Sequence, residues 1–581
     1  MPILTVLSGH LPIEISIGKN FSALELLSTH HFLIESNCGG RGTCGKCLIE
    51  LTDGELYDNL GHVAKPKTGN RYLACQVFPR EDCTIQIELA LAAAKASTES
   101  ERSLTLNNPA KRAGLAIDIG STTVAAMLVD LTNNDILMVE TETNPQRSHG
   151  ADVISRIDYA CRNDNGKSGT LVLQELIIQC INNLISKICA NSPYSPSEIE
   201  AVNLGGNTTM MHLFWGIQPK GLAFAPYQSQ FTGIKSGFAS DVGFNLPQNT
   251  PVTTLPIIAS FVGADTVAAV LAAGIDHSEF LSLMIDLGTN AEIVLGKKGR
   301  MLATSTAAGP AFEGSQLKHG MRAVPGAIHK VVPQKSEVGC PKRHCPVDSV
   351  AARHCGKHCS GTGGSEVGVD VYFRSSEELR QTFPSSEVQP GRHDPYYGDL
   401  LVEVIGDMPA TGICGSGIVD AIAALSSLGI ITPTGRLLVG KEYILVKAED
   451  SGNGQDITVT QEDIREIQLV KASIAAGIKI LLESYGTDLS SVSHVFVGGA
   501  FGNYINLDNA RSIGLLPNLP SERFHQIGNA AGQGVALTLA GGQDFLARTE
   551  NIVRETQHVE LATYDGFQNR FIKSLNLEEG S

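Results

Sequence analysis

Two copies of one short pattern constrain this chain more than any other feature. Leu115-Ala-Ile-Asp-Ile-Gly-Ser-Thr-Thr-Val124 and Leu283-Met-Ile-Asp-Leu-Gly-Thr-Asn-Ala-Glu292 each run an apolar strand into D-x-G-[ST]. Each is followed, further on, by a strand ending in a glycine pair: Ala201-Val-Asn-Leu-Gly-Gly206 and His494-Val-Phe-Val-Gly-Gly499. A repeat of this kind predicts two halves of one α/β architecture. The second copy is the larger. Much of its excess is a segment of about 333–394, poor in apolar residues and rich in Ser, Gly and charges, which reads as an insertion. Thr460, with Asp463 three residues on and Ile464, Ile467, Ile474, Ile478 and Leu481 near helical period, marks a long helix in that half.

The repeated pattern carries chemistry. A carboxylate at a strand end, followed by a tight turn with outward amides and hydroxyls, offers what a nucleoside triphosphate needs. Asp118 and Asp286 suit magnesium or its waters, and the Gly, Ser and Thr residues suit phosphate oxygens. Two such loops can face each other across a cleft. The bland alternative is a Rossmann-like duplication that binds no nucleotide.

Ahead of the repeat lies Asn37-Cys-Gly-Gly-Arg-Gly-Thr-Cys-Gly-Lys-Cys47. From Gly40 it imitates a P-loop, but Cys47 stands where a Ser or Thr hydroxyl belongs, and Leu48-Ile-Glu-Leu51 looks like a strand rather than a helix. With Cys75 the thiols read C-x5-C-x2-C-x27-C, close to the plant-type 2Fe-2S spacing. Cys38, Cys44, Cys47 and Cys75 are therefore the expected cluster ligands, and the glycines between them let the chain wrap closely. A zinc knuckle or ordinary loop cysteines are the alternatives. A hairpin over 3–7 and 13–17, a helix from 22–27 and strands at 48–51 and 84–89 fit a β-grasp ferredoxin. The expected organisation is a 2Fe-2S ferredoxin domain at 1–91, a small-residue and charged linker at 92–112, a first half at 113–280 and a second at 281–581.

At 581 residues the chain has room for three or four domains of about 150 residues, and with 42% hydrophobic against 18% charged residues it can fill their cores. A net charge of -16 argues against nucleic acid or anionic membrane as partner. No stretch reaches about 18 uninterrupted apolar residues, since Asp265 breaks the nearest, at 256–275. The start, MPILTVLSGHLPIEI, lacks a basic leader, so the expected location is cytoplasmic. Thirteen cysteines in a reducing compartment favour metal ligation for those that cluster. Cys340, Cys345, Cys355 and Cys359, beside His344, His354 and His358, lie in the insertion, where zinc, unligated thiols and a redox or second iron-sulfur role stay open. Cys83, Cys161, Cys180, Cys189 and Cys414 read as buried or incidental thiols, and Trp215, Met210 and Met211 as core.

The two loops and the Gly498-Gly-Ala500 turn resemble the ATPase superfamily of actin, sugar kinases and heat-shock chaperones, in which the later glycine turn lies against adenosine. With the cysteine motif fused ahead, nearly the whole chain resembles the reductive activators of corrinoid proteins found with methyltransferase systems. Further stretches carry the likeness: Asn144-Pro-Gln146, Gly150-Ala-Asp-Val153, Gly206-Asn-Thr-Thr-Met-Met-His212, Gly263-Ala-Asp265, Ala308-Gly-Pro-Ala-Phe-Glu-Gly314, Gly412-Ile-Cys-Gly-Ser-Gly417 and Gly498-Gly-Ala-Phe-Gly502. The insertion is the departure.

The resemblance implies a multidomain fold, an α+β β-grasp ferredoxin followed by a duplicated α/β RNase H-like ATPase of the actin type. It implies ATP-driven transfer of an electron from a 2Fe-2S cluster to Co(II), restoring Co(I) in a corrinoid protein. Asp118 and Asp286 become the catalytic carboxylates, working with ATP and Mg2+. Gly120, Ser121, Thr122, Thr123, Gly288, Thr289, Asn290, Gly498, Gly499 and Ala500 become the nucleotide contacts. Glu292, Asp265 and Glu313 are weaker candidates, expected to be structural rather than catalytic. The implied partners are a corrinoid protein and a low-potential electron donor, with a homodimer left open. Two rival readings remain: a small-molecule kinase of the same superfamily with a regulatory cluster, and a non-catalytic ATP-dependent binding module.

Overall fold

The computed structural model describes residues 2–7, 12–17, 21–29, 47–87, 112–132, 135–164, 167–306, 309, 312, 314, 316–333, 400–406, 408–502 and 504–577. Cys38, Cys44, Glu313, most of the expected linker and the insertion cysteines Cys340, Cys345, Cys355 and Cys359 lie outside the described residues.

The N-terminal unit is one sheet of five strands, β1 (Ile3–Leu7), β2 (Pro12–Ser16), β3 (Leu48–Asp53), β4 (Arg71–Leu73) and β5 (Cys83–Gln86), in the order β2-β1-β5-β3-β4. β1 pairs antiparallel with β2 and parallel with β5, the mixed arrangement of a β-grasp. Alternation sends Leu4 and Val6 of β1 inward, where they meet Leu24 and Leu27 of the helix Ala23–Thr29 and Ile49 and Ile85 of the sheet. Ser22 and Glu25 cap that helix reciprocally, with Ser22 N donating to Glu25 Oε2 at 2.6 Å and Glu25 N to Ser22 Oγ at 3.3 Å.

The remainder is built on two six-stranded sheets of one plan. In the first, β6 (Ala113–Ile119), β7 (Thr123–Asp130) and β8 (Ile136–Thr143) form a meander, and after a small ladder of β9 (Asn163–Asp164) and β10 (Lys167–Ser168) come β11 (Ile199–Gly206), β12 (Lys235–Phe238) and β13 (Pro251–Thr254). Their order is β12-β13-β11-β6-β7-β8. The second sheet opens with the meander β14 (Ser282–Leu287), β15 (Ala291–Lys297) and β16 (Arg300–Thr306). Two small sheets follow: β17 (Ala327–Pro333) with β18 (Leu400–Val404) and β19 (Gly412–Ile413), then β20 (Glu442–Val446) with β21 (Ile457–Thr460). β22 (His494–Gly498), β23 (Phe524–Gly528) and β24 (Thr556–His558) complete it as β23-β22-β14-β15-β16-β24.

The duplication is visible in the pairing. β6 and β14 each take an antiparallel neighbour on one side and a parallel, glycine-ended one, β11 or β22, on the other. Helix Gly169–Asn191 covers β7 and β8, and helix Gln461–Tyr485 covers β15 and β16 in the same place. The first is long and apolar enough to cross a membrane, yet Leu173, Ile177, Ile181, Leu184 and Ile188 face the core of the first half. The second starts at the expected Thr460–Asp463 capping box.

Two small-residue helices, Ala264–Ala273 and Ala530–Ala540, lie side by side, the first against β11 and the second against β6 and β11. A Cβ on Gly534 would fall 1.9 Å from the Ala268 carbonyl oxygen, so glycine is what lets the helices touch. Helix Ala264–Ala273 turns Ala264 and Ala268 to the first core and Val267 and Val270 to a second core with Met284, Val294 and Met301 of the second sheet. Both sheets therefore rest on it.

Candidate nucleotide cleft and cluster site

Both phosphate-type turns come from strand ends. β6 ends beside Asp118 and turns at Gly120, where a Cβ would lie 2.6 Å from the Thr123 carbonyl oxygen. β14 delivers Asp286, and Gly288 N closes the second turn on Asn290 O at 2.9 Å. Register sets the glycine pairs against them. Gly205 stands opposite Asp118 and Gly498 opposite Asp286. A Cβ on Gly206 would sit 2.7 Å from Ile119 O, and one on Gly499, at φ +88, would sit 2.3 Å from Leu287 O and 2.6 Å from Asp286 Oδ1. Ala500 follows in the short helix Gly499–Gly502.

The two turns meet. Ser121 Oγ lies 3.0 Å and Thr122 Oγ1 3.3 Å from Thr289 Oγ1, so hydroxyls from both halves share one spot. Thr123, at the start of β7, is exposed beside it. The first turn is braced from behind by the Asn144 and Gly150 stretches. Asn144 Nδ2 donates to Gly120 O and Asn144 N to Thr122 O, both at 2.8 Å. Fully buried Arg156 donates to Ser121 O and, at 2.9 Å, to Gly150 O.

Four carboxyl groups form the floor, each deep in the protein yet keeping some accessible surface. Glu292 on β15 stands opposite Asp286, and Ser305 donates to it at 3.1 Å. Asp265 opens helix Ala264–Ala273 and accepts from Thr266 N at 2.7 Å. Burial, then the charge of Asp265, pushes Asp118 up to about 7, against a hydrogen bond from Asn529 that holds it down. Burial, then Asp265 and Asp118, pushes Asp286 up to about 7. Asp265 is raised by burial to about 6. Glu292 is raised well above its ordinary value by burial, then by Asp265 and Asp286. Asp265, a weaker candidate in the sequence, thus acts electrostatically on both Asp118 and Asp286, while Glu292 is itself raised by Asp265 and Asp286.

Among the described residues no three His, Cys, Asp or Glu side chains converge on one metal position. A magnesium ion, which sheds its waters reluctantly, fits such a floor when the carboxylates hold its waters rather than the ion itself. Asn529 escaped the sequence reading. It caps helix Ala530–Ala540 by accepting from Gly532 N at 2.8 Å while touching Asp118, and its signal was an Asn just ahead of a helical run.

In the N-terminal unit the Leu48–Leu73 pairing of β3 and β4 brings Cys47 and Cys75 together. Their sulfurs lie 3.3 Å apart and both residues are buried. That is beyond a disulfide bond and suits two thiolate ligands of one metal centre. Cys83 shares the core as a buried thiol, which burial, then Asp82, pushes up to about 11.

Comparison with known proteins matches these parts one by one. A family model described as a 2Fe-2S iron-sulfur cluster binding domain fits residues 11–80, the RACo middle region fits 113–278, and the C-terminal domain of RACo, the ASKHA domain, fits 280–365 and 387–580. The corrinoid activation enzyme RamQ of Eubacterium limosum is 33% identical over 478 residues, covering 79% of this chain and 69% of the relative. The Co(II) methylated amine-specific corrinoid protein reductase of Methanosarcina barkeri is 25% identical over 479 residues, covering 80% and 76%. A solved structure of a reductive activator for corrinoid, iron-sulfur protein superposes with a TM-score of 0.64 at 27% identity, covering 100% of this chain and 99% of the other. The chain belongs to the family of reductive activators of corrinoid proteins, with a 2Fe-2S ferredoxin domain ahead of a duplicated actin-type ATPase fold.

Proposed function

We propose that this chain returns the cobalt of a corrinoid protein from Co(II) to Co(I), and that ATP bound and hydrolysed in the cleft drives the step. The observation that carries the reading is the union in one chain of a paired-thiol cluster site, Cys47 and Cys75, with a cleft where two phosphate-type turns meet. The cluster supplies one electron at a time; a low-potential donor restores it. Cys38, Cys44, Cys47 and Cys75 hold it. For a single electron about 59 mV equals a tenfold factor in equilibrium, so an uphill transfer needs the free energy of ATP.

Each cleft residue has a task. The amides and hydroxyls of Gly120, Ser121, Thr122, Thr123, Gly288, Thr289 and Asn290 hold the phosphates, and Gly498, Gly499 and Ala500 lie against the nucleoside. Asp118 and Asp286 would face the waters of a hydrated Mg2+, whose charge would favour their ionised forms against the burial and the neighbouring carboxylates that raise them, with the protons released to solvent. Asp265, at the start of helix Ala264–Ala273, adds its charge to the floor beside them. The test is anaerobic mixing of reduced protein with a Co(II) corrinoid protein, with and without ATP and Mg2+, while the cobalt absorbance is followed. Co(I) is expected in quantity only with ATP. Equal yield without nucleotide, or none with it, overturns the reading.

A further inference from the structure

One arginine of the second half reaches across to the first. Arg322 Nη1 donates to Thr143 Oγ1 at 3.2 Å, and Thr143 is the last residue of β8. Thr143 stands opposite Thr123 in the β7–β8 register, so the two side chains share a face about 5 Å apart. Thr123 closes the first phosphate turn, and Asn144, the residue after Thr143, is tied to the carbonyls of Gly120 and Thr122. The half-buried guanidinium therefore lies within a side chain's reach of the phosphate turn.

Its base is rigid. Met321 N donates to Ile413 O at 2.9 Å and Ile413 N to His319 O at 2.8 Å. That approach requires glycine twice. A Cβ on Gly314, at φ +76, would fall 2.4 Å from Met321 N, and one on Gly412 would fall 2.6 Å from His319 O. Both belong to stretches, 308–314 and 412–417, that nucleotide binding by the turns leaves unexplained. Charge gives them a purpose. The floor carries four carboxyl groups, a triphosphate adds more negative charge, and the turns offer only amides and hydroxyls. Arg156 is committed behind the turn to the carbonyls of Ser121 and Gly150.

We propose that Arg322 senses the terminal phosphate of the bound nucleotide, exchanging the Thr143 hydroxyl for a phosphate oxygen and so drawing the second half onto the first. The proposal rests on the ATP reading above. A guanidinium pairs more strongly with phosphate than with a neutral hydroxyl, so the exchange is favoured only while the terminal phosphate is present. Once that phosphate leaves, Thr143 takes the arginine back, and the spacing of the halves follows the nucleotide state.

The test uses the full chain with its cluster and compares binding of ADP and of a non-hydrolysable ATP analogue, by calorimetry, in wild type, Arg322→Gln and Arg322→Lys. Wild type is expected to prefer the triphosphate, and Arg322→Gln to lose roughly tenfold or more of that preference while ADP affinity and the cluster spectrum stay unchanged. Arg322→Lys should retain part of it, and ATP turnover in Arg322→Gln should fall by about 100-fold or more. An unchanged triphosphate preference in Arg322→Gln, or an equal loss of ADP binding, overturns the sensing role. Failure of wild type to bind either nucleotide overturns the ATP reading itself.

Discussion

The carboxyl groups of the cleft make its charge depend on pH and on cations. An aspartate ordinarily titrates near 3.9, while Asp118 and Asp286 titrate at about 7 in the fold. The folded protein thus holds these protons more tightly than the unfolded chain. The stabilisation this brings is fully present below about pH 4 and is lost as the pH rises to about 7. At pH 8 without divalent cation, Asp118→Asn or Asp286→Asn should therefore raise the melting temperature, by an amount worth about 1–3 kcal/mol after allowing for partial exposure. Near pH 4 the gain should vanish. Each variant should also lose roughly 100-fold or more in ATP turnover, since the charge facing the metal is gone. A melting temperature at pH 8 equal to or below that of wild type would count against the burial and repulsion that raise the two groups. Asp118 and Asp286 were legible in the sequence because a strand-end carboxylate before a glycine turn is a local signal. Asp265 and Glu292 stood out there only as weaker candidates, because only the β14–β15 register and the seat of helix Ala264–Ala273 bring them to the same floor.

Glycine marks the difference between an element that folds alone and one that must fit another. Gly486 ends helix Gln461–Tyr485 at φ +81 with nothing within 4 Å of its missing Cβ. Gly499 has a similar φ, +88, but its missing Cβ points at Leu287 O and the Asp286 carboxylate. Gly486→Ala should cost about 1 kcal/mol of stability in a urea titration and leave ATP turnover intact. Gly499→Ala should cost more and also cut turnover, because the methyl group displaces Asp286. Equal behaviour of the two variants would show that the close approach at Gly499 is unimportant. The capping box at Thr460 and the N-terminal hairpin were readable for the same reason as Gly486: their partners lie within a few residues. Helix Ala530–Ala540 was not. It follows the second repeat in sequence, yet packs on β6 and β11 of the first, a choice made by small residues whose counterpart at Ala268 is hundreds of residues away.

At the scale of the whole molecule the question is how ATP affects an electron held elsewhere. Cys47 and Cys75 belong to a sheet with its own core, whereas the nucleotide residues belong to two other sheets joined by helices Ala264–Ala273 and Ala530–Ala540. Beyond that helix packing, three polar contacts between the halves lie where a nucleotide would act: the Ser121–Thr289 bond, the Arg322–Thr143 bond and the Asn529–Asp118 bond. Nucleotide binding that changes how the halves sit, as proposed above for Arg322, would be felt as free energy by a corrinoid partner that prefers one arrangement. The irons feel little of it directly, because the charges that change lie in the cleft and not around the thiolates. ATP with Mg2+ should therefore leave the midpoint potential of the cluster nearly unchanged in the isolated protein, while raising the yield of Co(I) once the partner is added. Parallel redox titrations of the cluster, with and without nucleotide, measure the first quantity; cobalt absorbance measures the second. A shift of about 100 mV or more without partner is well over a tenfold effect for one electron and would place the coupling at the cluster instead.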